Sequence, residues 1–327
     1  MGERLTSQEY SRRTTLWVVP DIEGETRLDS FVRRCLPHLS LRELRTVLVE
    51  EMFRVNGQTA KKGDVVFGGD IITFTGHPDV LAPYPLPEAG LQVPIHYEDE
   101  SILILDKPSG MATHGFSGRD KGTLANFLVA IRPSLCDVGN NRWEPGILHR
   151  LDQGTSGLVV IAKDQNTFDS LRSQFRRGCV RKMYWALVSG KTRGQGEITY
   201  ALIHDPADRK RMKVVMGKEG KGCRARKWRA ITQFRTVAHG GEFSLLRVEI
   251  KTGVTHQIRA HLQSIGCPVV GDPLYGNDRP DPFGLGRQFL HAYYLGFRHP
   301  QTGKEVAFEG GLPATLRRVL RRLRICL

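Results

Sequence analysis

Nine consecutive residues, His149-Arg150-Leu151-Asp152-Gln153-Gly154-Thr155-Ser156-Gly157, gather a basic pair, one carboxylate, two hydroxyls and two glycines. An apolar run, Leu158-Val159-Val160-Ile161-Ala162, follows at once. This order reads as a sharply turning polar segment at the mouth of a buried strand, a place where rigid scaffolds carry catalytic groups. An aspartate is ionised at neutral pH without help, and a carboxylate aimed at a substrate can form a covalent intermediate. The pair His256 and His261 lacks a third acidic ligand at metal spacing, so both histidines are expected to be structural. Nucleophilic chemistry at Asp152 is therefore the expectation. An arginine partner would keep such a carboxylate charged and fix its rotamer. Arg259, in a helical-looking segment from Thr255 to Ile265, is the candidate. Three more stretches stand out for their composition, at 181–186, 252–262 and 270–276.

The elements that would position these groups can be read along the chain. Residues 1–13 are polar and read as a disordered lead-in. Leu28, Phe31, Val32 and Cys35 repeat at helical spacing, and Ser40 with Glu43 forms a capping box ahead of Leu44, Val47 and Leu48. Phe53-Arg54-Val55 leads into Asn56-Gly57, a strong hairpin signal, and Ile71 to Phe74 follows as a strand. Residues 77–94 are proline-rich and read as a semi-rigid extended linker between domains. The remainder, 95–327, alternates strands with a few helices. Among them are a helix over 123–132, a strand over 180–188, a hairpin at 290–308 and a basic amphipathic C-terminal helix. Interspersed helices with more strands than helices predict an α+β class on a mixed, mostly antiparallel sheet, preceded by a small α+β unit over 14–76.

The formal net charge of +14 points to a polyanionic partner. Segment 209–229 is the densest positive region, and Lys213 and Arg226 are two of its candidate phosphate contacts. Six cysteines are scattered without any C-x-x-C spacing, which suits free thiols in a reducing compartment. The polar start lacks an apolar signal region, and no run of roughly 18 apolar residues occurs. A cytoplasmic location away from membranes is expected.

The small unit, with R-L-D at 27–29, V-N-G at 55–57 and G-D at 69–70, resembles the S4 RNA-binding domain. That resemblance nominates Arg27, Arg42 and Arg45 as RNA contacts. The larger part resembles the RluA-type pseudouridine synthases. H-R-L-D-x-x-T-S-G at 149–157 matches their catalytic motif, and K-P at 107–108, T-H-Q-I-R-x-H-L at 255–262 and G-D-P-L-Y-G at 271–276 fall in the same order. The resemblance implies an isomerase that turns uridine into pseudouridine in structured RNA, with 23S rRNA ahead of tRNA as substrate, and acting as a monomer without cofactor, metal or DNA. It implies that Asp152 is the catalytic carboxylate, Arg259 its partner, Tyr184 the aromatic platform for the base, and Arg150 the side chain that fills the place of the flipped nucleotide. Attack at C1′ and removal of a sugar proton both fit a single carboxylate. Val254 and Lys251 depart from the family pattern, which has Arg and often Glu there, and they bear on substrate choice. The alternative is a non-catalytic RNA-binding or ribosome-assembly protein with the same fold.

Overall fold

The computed structural model of the chain describes residues 15–21, 24–82, 84–117, 119–216, 226–276 and 281–327. The fold divides into two compact units. One comprises the described residues of Met1–Leu91 with His114–Cys136 and Asn140–Pro145; the other comprises Gln92–Thr113, Asp137–Gly139 and Gly146–Leu327.

The first unit runs β1 (Leu16–Val18), β2 (Thr26–Arg27), α1 (Leu28–Cys35), α2 (Leu41–Val49), β3 (Phe53–Val55), β4 (Gln58–Thr59), β5 (Val65–Val66) and β6 (Ile71–Phe74). Strands β1, β6, β3 and β4 form one antiparallel sheet in that order, while β2 pairs with β5. Leu28, Phe31 and Val32 of α1 and Leu44, Val47 and Leu48 of α2 bury their side chains with Phe53, Ile72 and Phe74. The capping box is formed: Glu43 N donates to Ser40 Oγ and Ser40 N donates to Glu43 Oε2. Asn56 and Gly57 both take positive φ, 49° and 83°, as a tight hairpin turn with the right twist requires. The Asn56 side chain then bridges to β6, donating to Asp70 Oδ1 and accepting from Ile71 N.

The proline-rich stretch is packed, contrary to the extended linker expected from its composition. Pro78–Leu81 forms a 3-10 turn, and Leu81 and Ala82 are buried. Residues 86–88 lie against α3 (Leu124–Ile131): Asn126 Nδ2 donates to Leu86 O at 2.7 Å, and Glu88 Oε1 accepts from Gly122 N. Prolines lack an N–H, so such a strap presents acceptors and needs few of its own. Asn126 supplies one donor to it, and also closes the Thr123 capping box of α3.

The second unit contains β7 (Ile95–Glu98), β8 (Ile102–Lys107), β9 (Ser156–Ala162), α4 (Gln165–Arg176), β10 (Arg181–Ser189), β11 (Gln195–Ile198), β12 (Ala201–His204), β13 (Met212–Val215), β14 (Thr232–Gly240), β15 (Phe243–Ile250), α5 (Gln257–Ser264), β16 (Leu290–Arg298), β17 (Glu305–Glu309) and α6 (Ala314–Arg322). Its main sheet has the order β11-β14-β15-β10-β16-β9-β8-β7, and β17 also pairs with β16, beyond the two residues that pair with β9. All pairs are antiparallel except β9 with β16. This is the mixed, mostly antiparallel α+β architecture that the element pattern predicts. Hairpin β12–β13 stands as a separate two-stranded ribbon.

Every residue of β9 is buried, as an apolar run covered on both faces must be. Its entry explains the second glycine of the opening motif. Gly157 has φ 126°, and a Cβ there would sit 2.2 Å from Ala292 O and 2.6 Å from Ala292 N. Only a residue without a side chain lets β16 come alongside.

Candidate active site

Asp152 sits at the start of β9 in a turn closed by Thr155 N donating to Asp152 O at 2.9 Å. The neighbouring loop pins this turn from several sides. Thr113 Oγ1 donates to Leu151 O, Gly110 N donates to Gln153 O, and Gln153 Nε2 donates back to Gly110 O. Lys107, the last residue of β8, is completely buried and donates its ammonium to Pro108 O at 2.9 Å and Met111 O at 2.6 Å. Burial, with the nearby Arg287 charge, pushes this lysine down to about 7; the Asp152 and Asp106 charges oppose the shift. Gln288 Nε2 donates to Thr155 Oγ1, and its amide lies so close to Gly154 that a Cβ there would approach Oε1 to 2.4 Å. The small residues of the motif are thus imposed by neighbours.

Arg259 reaches the turn from α5. Its Nη1 donates to Asp152 Oδ2 at 2.8 Å. Its other edge is held by Asp272, with Nε to Oδ2 at 2.6 Å and Nη2 to Oδ1 at 2.8 Å. Asp272 is buried and accepts further bonds from Leu274 N and Tyr275 N. Burial works against the Arg259 charge, but Asp272 and Asp152 outweigh it and hold the guanidinium above its usual range. One guanidinium therefore bridges two carboxylates and leaves Asp152 with one oxygen bound to it.

The other oxygen, Oδ1, faces His256 Nε2 at 4.0 Å. His256 is the N-cap of α5 in the left-handed region at φ 54°, and its ring makes no capping bond. Nδ1 lies 3.1 Å from the Tyr275 hydroxyl, which also meets Met212 N at 2.7 Å. The guanidinium carbons of Arg259 and Arg211 each lie 5.1 Å from the centre of the Tyr275 ring. Burial lowers the His256 pKa, Arg259 and Arg150 add to that, and the two carboxylates oppose it. His256, expected to be structural, thus lies beside Asp152. His261 is structural: its ring nitrogens meet Thr232 Oγ1 and Tyr200 O inside the fold.

Tyr184 lies on β10, 5 % exposed, and burial followed by the Asp152 charge holds its phenol protonated far above the usual range. Arg150 is exposed beside the turn. Lys213 and Arg226 are exposed near hairpin β12–β13, and the Arg226 guanidinium carbon lies 5.4 Å from the Trp228 ring centre. Lys218, Lys221 and Arg224 of the same basic segment lie outside the described residues. In the first unit Arg42 and Arg45 are exposed on α2, and Arg27 forms a two-bonded ion pair with Asp29. Val254 packs with Leu202, Met212, Ala260 and Tyr275, and Lys251 pairs with Glu249. The sequence reading gave Asp272 and Lys107 no role. An Asp followed by Pro and two free N–H groups is a turn signature that marks Asp272; a lone lysine at a strand end carries no comparable signal.

The Asp152 carboxylate is fixed by Arg259, and its charge acts on the Tyr184 phenol. Residues 101–264 match the RNA pseudouridylate synthase family, half of the chain. An RNA pseudouridine synthase of Chloroflexus aurantiacus, otherwise uncharacterised, is 39% identical over 94% of this chain and 92% of its own length.

The chain belongs to the RNA pseudouridylate synthase family.

It is also 34% identical to ribosomal large subunit pseudouridine synthase D of Neisseria meningitidis serogroup A, over 98% of this chain and 84% of the relative. Among solved structures, human RNA pseudouridylate synthase domain containing 1 superposes with a TM-score of 0.52 at 25% identity, covering 73% of this chain and 97% of the human one. As a pseudouridine synthase, the protein is an isomerase that acts on RNA.

Proposed function

We propose that Asp152 is the reacting carboxylate of this synthase, on large-subunit ribosomal RNA in the cytoplasm, with the enzyme working as a monomer. The observation that carries the reading is the arginine-fixed, half-occupied carboxylate at the mouth of β9. Asp152 is aimed, and Oδ2 alone is bound to Arg259. In the isomerisation the C1′–N1 bond of uridine breaks, the uracil turns, C5 bonds to C1′, and the C5 proton leaves as N1 gains one. The carboxylate serves either by bonding to C1′ or by removing a sugar proton, and is regenerated. Tyr184 supplies an apolar platform with a polar tip for the base. Arg150 stacks in the space left by the flipped nucleotide. The Neisseria relative's name supports ribosomal RNA as the substrate.

Lys213 and Arg226 bind phosphates beside this site. The first unit is an S4-like RNA-binding module in which Arg27, Arg42 and Arg45 contribute phosphate contacts. The exposed Arg27–Asp29 pair is worth little on a wet surface, so the guanidinium can exchange its partner for a phosphate.

Pseudouridines mapped in total RNA from cells with and without the gene test the reading. One or more sites should vanish on deletion, return with the wild-type gene, and stay absent with Asp152→Ala. A site that returns with Asp152→Ala overturns the assignment; no change on deletion overturns the choice of substrate.

A further inference from the structure

His256 has no assigned part in the reaction, yet its position is hard to account for as packing alone. It occupies the left-handed backbone region at φ 54°, which a residue with a bulky side chain enters only at a cost in backbone strain. The ring does not cap the helix that it precedes. One side is held by Tyr275, and the other turns toward the oxygen of Asp152 that Arg259 leaves unbound. The two side chains are 15 % and 19 % exposed, so the gap between them opens to solvent.

That gap is 4.0 Å, too long for a direct hydrogen bond. A hydroxyl oxygen about 2.8 Å from each atom would close it with an angle of roughly 90°. Such a hydroxyl accepts one bond and donates one. Asp152 can only accept, so the imidazole must donate. The Tyr275 hydroxyl accepts from Met212 N and lies 3.2 Å from Met212 O, to which it can donate, and 3.1 Å from His256 Nδ1. The tautomer that donates toward Asp152 has its proton on Nε2 and accepts at Nδ1 from the Tyr275 phenol.

An RNA chain offers one kind of free sugar hydroxyl. The 3′ and 5′ oxygens are in phosphodiester links, and the 2′ hydroxyl stands on the carbon next to C1′. A carboxylate placed to act at C1′ or at the sugar proton beside it has this group at hand. We infer that His256 and Asp152 Oδ1 bracket the 2′ hydroxyl of the target nucleotide, so that His256 positions the ribose and discriminates it from deoxyribose. The inference rests on Asp152 being the reacting carboxylate. Reading the 2′ hydroxyl is the general means of telling RNA from DNA at one position, and here it is placed at the reacting sugar. The low basicity of His256 suits the role, because a neutral ring donates from Nε2 without neutralising Asp152.

The test uses the full-length protein and an RNA oligonucleotide spanning the mapped uridine, with either ribose or 2′-deoxyribose at that one nucleotide. Single-turnover isomerisation is followed by nucleoside analysis for wild type, His256→Phe and Asp152→Asn. Phe keeps the ring's shape and removes the donor. Deoxyribose should slow the wild type roughly tenfold, the scale of one hydrogen bond. His256→Phe should lose a similar factor on the ribose substrate and almost nothing more on the deoxyribose one. Equal deoxyribose penalties in both proteins, or a wild-type rate for His256→Phe, would overturn the inference. If His256→Phe melts well below the wild type, His256→Asn, which suits the left-handed backbone, is held to the same comparison. Undiminished activity of Asp152→Asn would instead bring down the reading of the carboxylate on which the inference depends.

Discussion

Replacing Asp272 by Asn tests whether the bridged guanidinium sets the reactivity of Asp152. The wild-type carboxylate takes two charge-assisted bonds from Arg259, at 2.6 and 2.8 Å, and two more from Leu274 N and Tyr275 N. Asn retains one acceptor, and its NH2 group faces donors. Hydrogen bonds to charged groups contribute about 1.5–3 kcal/mol each, and breaking a buried ion pair costs about 3–5 kcal/mol. Asp152 still balances part of the Arg259 charge, so a loss of about 2–4 kcal/mol in unfolding free energy is expected. The second effect concerns chemistry. Freed along its Nε edge, the guanidinium can turn and take both oxygens of Asp152, leaving no oxygen free to react. The rate at saturating RNA should fall at least tenfold, with RNA affinity nearly unchanged, because Asp272 is buried away from solvent. Urea unfolding and single-turnover kinetics on the mapped RNA give both numbers. An Asp272→Asn protein that keeps both the wild-type urea midpoint and the wild-type rate would refute the bridging role; a fall in stability alone would reduce Asp272 to a packing residue.

Three other perturbations have defined outcomes. Lys107 has its folded pKa lowered to about 7, so the unfolded chain binds more protons between that value and the ordinary lysine range, and stability rises with pH there. The slope should shrink in Lys107→Met, measured as denaturant midpoints from pH 7 to 10; an unchanged slope would contradict the buried-amine account. Gly157→Ala forces a methyl to within 2.2 Å of Ala292 O at φ 126°, so it should lose about 3 kcal/mol or more, and a near-native melting temperature would show that β16 can retreat. Lys213→Ala and Arg226→Ala should each reduce the slope of log affinity against log salt by about one, and filter binding that shows no change would remove them from the RNA path.

Local signals in the sequence were those whose physics is local. The Ser40–Glu43 cap, the Asn56-Gly57 turn and the buried run of β9 each follow from a few neighbouring residues. Asp152 and Arg259 were legible as candidates, but their contact depends on α5 returning to the turn. The same holds for His256, whose meaning lies in the 4.0 Å gap to a residue far away in sequence. Proline content suggested an extended linker over residues 77–94 and said nothing of Asn126, whose side chain gives that stretch a partner. Segment 114–136 lies between strands of the larger sheet in sequence and nevertheless belongs to the first compact unit, a grouping that no periodicity encodes.

The parallel pairing of β9 with β16 has a consequence during synthesis. On a ribosome, β9 is complete once Ala162 has emerged, and β8 already covers one of its edges. On the other edge Ile161 and Ala162 meet Ile147 and Gly146, and Ser156 and Gly157 pair with His291 and Ala292. At about 5–20 residues per second, the intervening segment takes on the order of ten seconds to be made. For that interval the start of β9, at Ser156 and Gly157, lacks its strand partner, and an unpaired edge invites pairing with a neighbouring chain. A nascent chain thus carries Asp152 and this short open edge well before Arg259 and β16 exist.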